Sequence, residues 1–255
     1  MNVPLFPDVP RPLIFGHRGC TSHAVENTMQ AFQHCFDHQV IGIELDVHRC
    51  QSGQLVVIHD HDLNRLTHLE KTVENVPWEQ LRLLSLQDSS EAHIPLLEQV
   101  FSTFTDRFIY DVELKQEGIH DTGLAAAVWN MIQQYALEKS VLVSSFNPFA
   151  LRRFNQVCNY AVPTAVIYSE DPEVPRFLRH GWGKHIARSS VLKPDISLLN
   201  AHMITRKRSP MITWTINDPE LAYQYYRQGV EGFISDDPIA LQKTFLTSVE
   251  VSIKQ

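Results

Sequence analysis

The chain has 255 residues, 44% of them hydrophobic and 20% charged, with a formal net charge of −7 and an isoelectric point near 6.0. That length suits one large α/β barrel or two small domains, and the apolar share is enough for a sizeable core. A predominantly acidic chain repels phosphate backbones, which argues against a nucleic-acid partner. No apolar run approaches the roughly 20 residues that a bilayer crossing needs, so no transmembrane segment is expected. Residues 1–11 lack both a basic start and an apolar stretch, so a cytoplasmic protein is expected.

Taken in chain order, Leu13-Ile14-Phe15-Gly16 reads as a strand that ends in His17-Arg18-Gly19. Residues 27–38 then place Met29, Phe32 and Phe36 at helical spacing, with Asn27 or Thr28 available as the cap. The next run, 41–47, is the most informative. On a strand its side chains alternate, so Ile43, Leu45 and Val47 share one face while Gly42, Glu44 and Asp46 share the other. Two carboxylates side by side between apolar runs repel each other unless a cation lies between them, and an oxygen-only pair suits Mg²⁺ or Ca²⁺. The link to the following apolar run, 55–60, is too short for a parallel crossover, so the two runs form an antiparallel hairpin turning near Ser52-Gly53. Counting back from that turn sets His59 opposite Leu45 or Asp46, beside the acids.

Residues 61–93 are a polar insertion, with a helix start at Pro77-Trp78-Glu79-Gln80-Leu81. Its length fits a lid or a binding loop in contact with substrate, and equally a structural flap. A further helix begins at 94–100. Strands are then predicted at 108–114, 141–145, 161–168, 196–199, 212–216 and 232–235, and helices at 122–137, 148–157, 172–179, 218–228 and 238–246. The link between the predicted sixth and seventh strands is short and shows no convincing helix. Leaving out the returning arm of the hairpin, this makes eight strands. Their alternation with helices predicts one (β/α)8 TIM barrel over residues 1–255 with a small insertion after the second-strand hairpin. In such barrels the reactive groups sit at the C-terminal ends of strands, where His17, Glu44, Asp46, Glu113, Lys115, Asn147, Asn217 and Asp236 all fall.

Other chemistries find little support. Cys20, Cys35, Cys50 and Cys158 form no C-x-x-C pair, and Cys20 is read as a small packed residue. His34 and His38 stand at i and i+4 like half of a zinc site, but no third ligand is evident along the chain and they are read as surface residues. Asp236-Asp237-Pro238 is read as the cap of the last helix, and Ser144-Ser145 lacks a G-x-S-x-G setting.

Eight motifs, in register from residue 15 to 238, resemble the glycerophosphodiester phosphodiesterase family. They are Phe15-Gly16-His17-Arg18-Gly19, Glu26-Asn27-Thr28, Ile43-Glu44-Leu45-Asp46-Val47, Val57-Ile58-His59-Asp60, Glu113-Leu114-Lys115, Ser144-Ser145-Phe146, Trp214-Thr215-Ile216-Asn217-Asp218 and the run from Gly229 to Pro238. The resemblance implies a TIM barrel that uses one divalent cation, Mg²⁺ or Ca²⁺, to hydrolyse small-molecule glycerophosphodiesters to sn-glycerol 3-phosphate and an alcohol. It implies metal ligands at Glu44, Asp46 and Glu113, an acid-base pair at His17 and His59, phosphate-facing cations at Arg18 and Lys115, and a pocket indole at Trp214. It also makes the inserted segment a holder of the glycerol portion. Val25 and Cys20 depart from the family's usual residues, but neither position supplies chemistry. The same pattern admits a lysophospholipase-D-like or phosphoinositide-lyase-like barrel acting on lipid headgroups, or a non-catalytic phosphate-binding barrel; the latter is disfavoured because both histidines and all three acids are present.

Overall fold

Short, largely apolar runs alternate with segments of helical period, and the chain folds accordingly into alternating strands and helices. The computed structural model describes residues 5–87, 89–172 and 174–253. The strands are β1 (Leu13–Gly16), β2 (Gly42–Arg49), β3 (Leu55–Val57), β4 (Ser85–Leu86), β5 (Ser89–His93), β6 (Ile109–Leu114), β7 (Val141–Ser145), β8 (Thr164–Tyr168), β9 (Val191–Pro194), β10 (Ile212–Thr213) and β11 (Gly232–Ser235). The helices are α1 (Met29–Asp37), α2 (Asn64–Thr67), α3 (Trp78–Leu81), α4 (Leu97–Phe104), α5 (Leu124–Gln134), α6 (Pro148–Val157), α7 (Gly183–Ala187), α8 (Ala201–Arg206), α9 (Pro219–Gln228) and α10 (Pro238–Ile253).

Eight strands pair in parallel in the order β10, β11, β1, β2, β6, β7, β8, β9. Parallel bridges Leu192 to Met211 and Asp195 to Trp214 join the two ends, so the sheet closes into the expected (β/α)8 barrel. Strand parity then sorts the side chains. Ile43, Leu45, Val47, Tyr110, Val112 and Leu114 pack into the layer shared with the helices. Leu13, Phe15, Ile109, Leu142, Val191 and Ile234 form an apolar plug inside the barrel. Toward the strands' C-terminal ends the inward positions turn polar, first with Asp111, Ser144 and Lys193 and then with Glu44, Asp46 and Glu113, all buried. The plug explains Gly42: a Cβ there would lie 2.6 Å from the Phe15 ring and 2.9 Å from the Ile109 carbonyl oxygen.

The predicted hairpin forms, with β3 antiparallel to the end of β2 and Val47 opposite Val57. Residues 61–93 carry α2, α3 and the β4–β5 hairpin. Leu63, Leu66, Val73, Val76, Leu81 and Leu86 build a small core there against Val56 and Ile58.

Three predicted elements differ. The sixth strand is Val191–Pro194, and the run Ile196–Leu198 is a single 3-10 turn that follows it. The apolar residues of 196–199 gave a strand-like pattern, whereas the true strand carries an inward lysine whose partner is far away in sequence. The link to the next strand does contain a helix, α8, capped by Asn200 Oδ1 accepting from the Met203 amide. The helix expected at 172–179 is reduced to a 3-10 turn, Arg176–Leu178, with α7 beginning only at Gly183. Among the described residues no helix is long and apolar enough to cross a membrane.

Candidate active site

The C-terminal rim gathers the ionisable residues. His17, Arg18, Glu44, Asp46, His59, Glu113 and Trp214 line one cleft of about 30 Å³, with Phe146, Lys193 and Ile234 completing its walls. That volume admits one ion or a water. A larger cavity of about 690 Å³, flanked by Leu5, Phe6, Pro163 and Val191, lies at the opposite face, away from the strand ends.

Register explains the acids. Asp46 on β2 stands beside Glu113 on β6, and Glu44 lies two residues back on the same inward face. Glu44, Asp46 and Glu113 each place a carboxylate oxygen within 4.8 Å of the others. Burial, and then the Asp46 charge, push the Glu44 carboxyl up to about 7, so the cluster is short of positive charge. Asp46 Oδ1 is closed off from solvent and accepts no well-formed hydrogen bond, although Lys115 Nζ lies 3.0 Å away. A buried, oxygen-only donor set with this deficit fits a hard divalent cation such as Mg²⁺ or Ca²⁺.

The loop after β1 is shaped around this cluster. Arg18 takes a left-handed conformation, with φ of 55°, and its amide donates to Glu44 Oε2 at 2.9 Å. Its guanidinium bonds Glu26 at 2.9 Å and stands 3.7 Å from Asp46. Asn27 donates from Nδ2 to Asp46 Oδ2 at 2.8 Å, which leaves Thr28 to cap α1 through the Ala31 amide. Lys115 is nearly buried and ion-paired with Glu113 at 2.7 Å and with Asp46 at 3.0 Å. Burial opposes its charge, but those two carboxylates raise its pKa above the ordinary lysine value.

Each histidine of the cleft is held through Nδ1 by an aspartate. His17 Nδ1 is 2.7 Å from Asp236 Oδ1, and His59 Nδ1 is 2.7 Å from Asp60 Oδ1. In both rings this leaves Nε2 as the nitrogen available to the cleft. Asn217 and Thr21 bond Asp236 in turn, so Asp236 serves His17 while Asp237 alone caps α10 through the Ala240 amide. Arg65, from the insertion, bonds both Asp60 and Glu26 and so ties His59 to the Arg18 loop. His48, buried one alternation beyond Asp46, donates to the His59 carbonyl at 3.3 Å and pairs with Glu74 at 2.8 Å. Burial lowers the His59 pKa, and Lys115 and Arg18 add to this against the pull of Asp46.

Beneath the acids, Lys193 Nζ meets Asp111 Oδ2 at 2.9 Å and Ser144 Oγ at 3.1 Å. The Trp214 indole donates to the Lys193 carbonyl at 3.1 Å and meets the Phe146 ring edge to face at 5.5 Å. Asn147 does not reach the cleft's chemistry; it caps α6 and bonds the Gln116 and Gly118 carbonyls. Sequence reasoning missed Lys193, Asp111 and Arg65, and it placed Asp236 at the rim without its pairing with His17. Only Asp60 carried a local signal, as the neighbour of His59.

The model of the glycerophosphoryl diester phosphodiesterase family matches residues 17–240. A glycerophosphodiester phosphodiesterase of Bacillus altitudinis is 32% identical over 236 residues, covering 88% of this chain and 94% of its own. One from Caldanaerobacter subterraneus is 26% identical over 240 residues, covering 91% and 96%. Among solved structures, a phosphodiesterase of Oleispira antarctica in complex with the product sn-glycerol-3-phosphate superposes with a TM-score of 0.79 at 24% identity, covering 92% of this chain and 97% of its own. A glycerophosphodiester phosphodiesterase of Thermotoga maritima does so at 0.73 and 24%, covering 92% and 99%.

Proposed function

Since this chain belongs to the glycerophosphoryl diester phosphodiesterase family, and is a glycerophosphodiester phosphodiesterase, we propose that it cleaves small glycerophosphodiesters to sn-glycerol 3-phosphate and an alcohol at the rim cleft, using His17 and His59 as the acid-base pair. The observation that carries this reading is the pair of imidazoles, each oriented by its own aspartate, over a floor of three buried carboxylates.

Glu44, Asp46 and Glu113 would hold the divalent cation. When bound, that ion would offset negative charge building on the phosphoryl oxygens. Arg18 would contribute a fixed positive charge at the same oxygens, in a cleft where reduced dielectric strengthens such interactions. Lys115 would turn from the carboxylates toward the phosphate once they are occupied. Trp214 would wall the cleft beside the substrate. Residues 61–93 would contact the glycerol portion and, through Arg65 and Glu74, keep the His59 loop in place.

One imidazole takes a proton from the attacking hydroxyl while the other protonates the departing alkoxide, each step typically worth about 10² to 10⁴ in rate. The motifs contain no evident enzyme nucleophile. We therefore assign the first attack to the 2-hydroxyl of the glycerol portion: its oxygen bonds phosphorus, the alcohol leaves, and water then opens the cyclic phosphate.

The test is release of glycerol 3-phosphate from glycerophosphocholine, with lysophosphatidylcholine as comparator, by wild type and His17→Ala, each with and without chelator. Release that survives both chelator and substitution rejects the reading. Cleavage of a 2-deoxy substrate at the normal rate rejects the cyclic route alone.

A further inference from the structure

We propose that Cys20, His23 and His34 form a second metal site, separate from the carboxylate cluster, that takes a borderline transition ion of the Zn²⁺ class. One donor atom from each of the three lies within 4.8 Å of the others. The set joins the loop after β1, which supplies Cys20 and His23, to α1, which supplies His34. It pairs His34 with residues of the loop rather than with His38, whose i, i+4 spacing suggests a site along the helix; His38 instead bonds the His34 carbonyl through Nδ1 at 2.9 Å.

The state of the donors favours a cation. His34 Nε2 is closed off from solvent and has no hydrogen-bond partner. The His34 ring is stacked on His23 at 4.4 Å, so the exposed His23 ring would turn about its side-chain bonds for both nitrogens to reach one ion. His23 Nδ1 lies 2.8 Å from Ser22 Oγ, the kind of outer hydrogen bond that orients a ligating ring through its other nitrogen. The Cys20 side chain is wholly buried.

Donor chemistry then separates the two centres. One sulfur and two imidazole nitrogens select a borderline or soft ion, whereas three carboxylates select a hard one. His48, His61 and Glu74 also lie close together, but there Glu74 already pairs with His48 at 2.8 Å and with His61 at 3.1 Å. On binding, the Cys20 thiol releases its proton to solvent as the sulfur-metal bond forms, water fills the fourth position, and no electron is transferred. Cys20 lies three residues after His17, and its amide already donates to the Ala31 carbonyl of α1 at 3.1 Å. The ion would therefore fasten the loop that presents His17 and Arg18 to the helix behind it.

The test is titration of the chelator-treated full chain with Co²⁺, followed by absorption. Wild type is expected to develop a thiolate-to-cobalt charge-transfer band that Zn²⁺ abolishes and Mg²⁺ does not. Oxygen ligands at the carboxylate cluster produce no such band, so the result is independent of the catalytic reading. Cys20→Ser should lose the band and Cys35→Ser should keep it. His23 is exposed, so His23→Ala is expected to fold normally and to bind Co²⁺ at least roughly tenfold more weakly, the smallest loss typical even of an outer-shell partner. Absence of the band in wild type, its persistence in Cys20→Ser, or unchanged affinity in His23→Ala would overturn the proposal. If Cys20→Ser fails to fold, the His23→Ala titration decides.

Discussion

Lys193 Nζ lies 2.9 Å from Asp111 Oδ2 inside the barrel, with 2% of the lysine side chain and none of the aspartate exposed. The pair joins β9 to β6 across the interior, beneath the acidic cluster. Removing one partner strands the other charge in a medium of low dielectric. Lys193→Met is expected to lower unfolding stability by roughly 3–5 kcal/mol, and a second change, Asp111→Leu, to restore much of it. Urea unfolding of the two variants checks this. A single-variant loss below about 1 kcal/mol would show that the surroundings tolerate the unpaired carboxylate.

Asp236 accepts from or pairs with His17, Asn217 and Thr21, and under the proposed acid-base roles it would act on the reaction through the imidazole it orients. Asp236→Asn is expected to lower kcat by roughly 10²- to 10³-fold, within the range attributed to one acid-base group, with little change in KM. Steady-state kinetics on glycerophosphocholine measure it. A matching rise in KM with kcat preserved would assign Asp236 to substrate binding instead.

In the ion-free protein the Glu44 carboxyl is raised from 4.5 to about 7, mainly by burial. A folded-state pKa above the unfolded one contributes stability that is complete below about 4.5 and is lost as pH rises through about 7. His59 is shifted downward and acts with the opposite sign in part of this interval, so the comparison must isolate Glu44. The Tm difference between chelated wild type and Glu44→Gln is expected to move against wild type between pH 5 and 7.5, in steps taken at fixed ionic strength. A flat difference across that interval would contradict the shift.

Removal of divalent cations is expected to abolish hydrolysis, and Mg²⁺ or Ca²⁺ to restore it. Glu113→Gln would remove one of the three carboxylates proposed to hold the ion and should raise the cation concentration giving half-maximal activity by at least roughly tenfold. A dependence identical to wild type would remove Glu113 from the ligand set.

How much was legible follows from the range of each interaction. The inward face of β2 could be read from its period of two, because alternation is a property of the strand itself, and the hairpin turn brought His59 to the same place. Strand β9 was misplaced because Val-Leu-Lys-Pro looks interrupted until Asp111, 82 positions earlier, is seen to face the lysine. Asp236 was taken for a helix cap since its other partner, His17, is 219 residues away.

Periodicity and motifs within short spans were enough to read the alternation of strands and helices, the family, and the group of ionisable residues at strand ends. Tertiary structure alone decided which aspartate orients which histidine, where Lys115 and Lys193 find their counter-charges, and that Cys20 and His23 come to stand beside His34. Those pairings depend on barrel closure, which brings distant segments within a few ångströms and into a medium where an unpaired charge is costly.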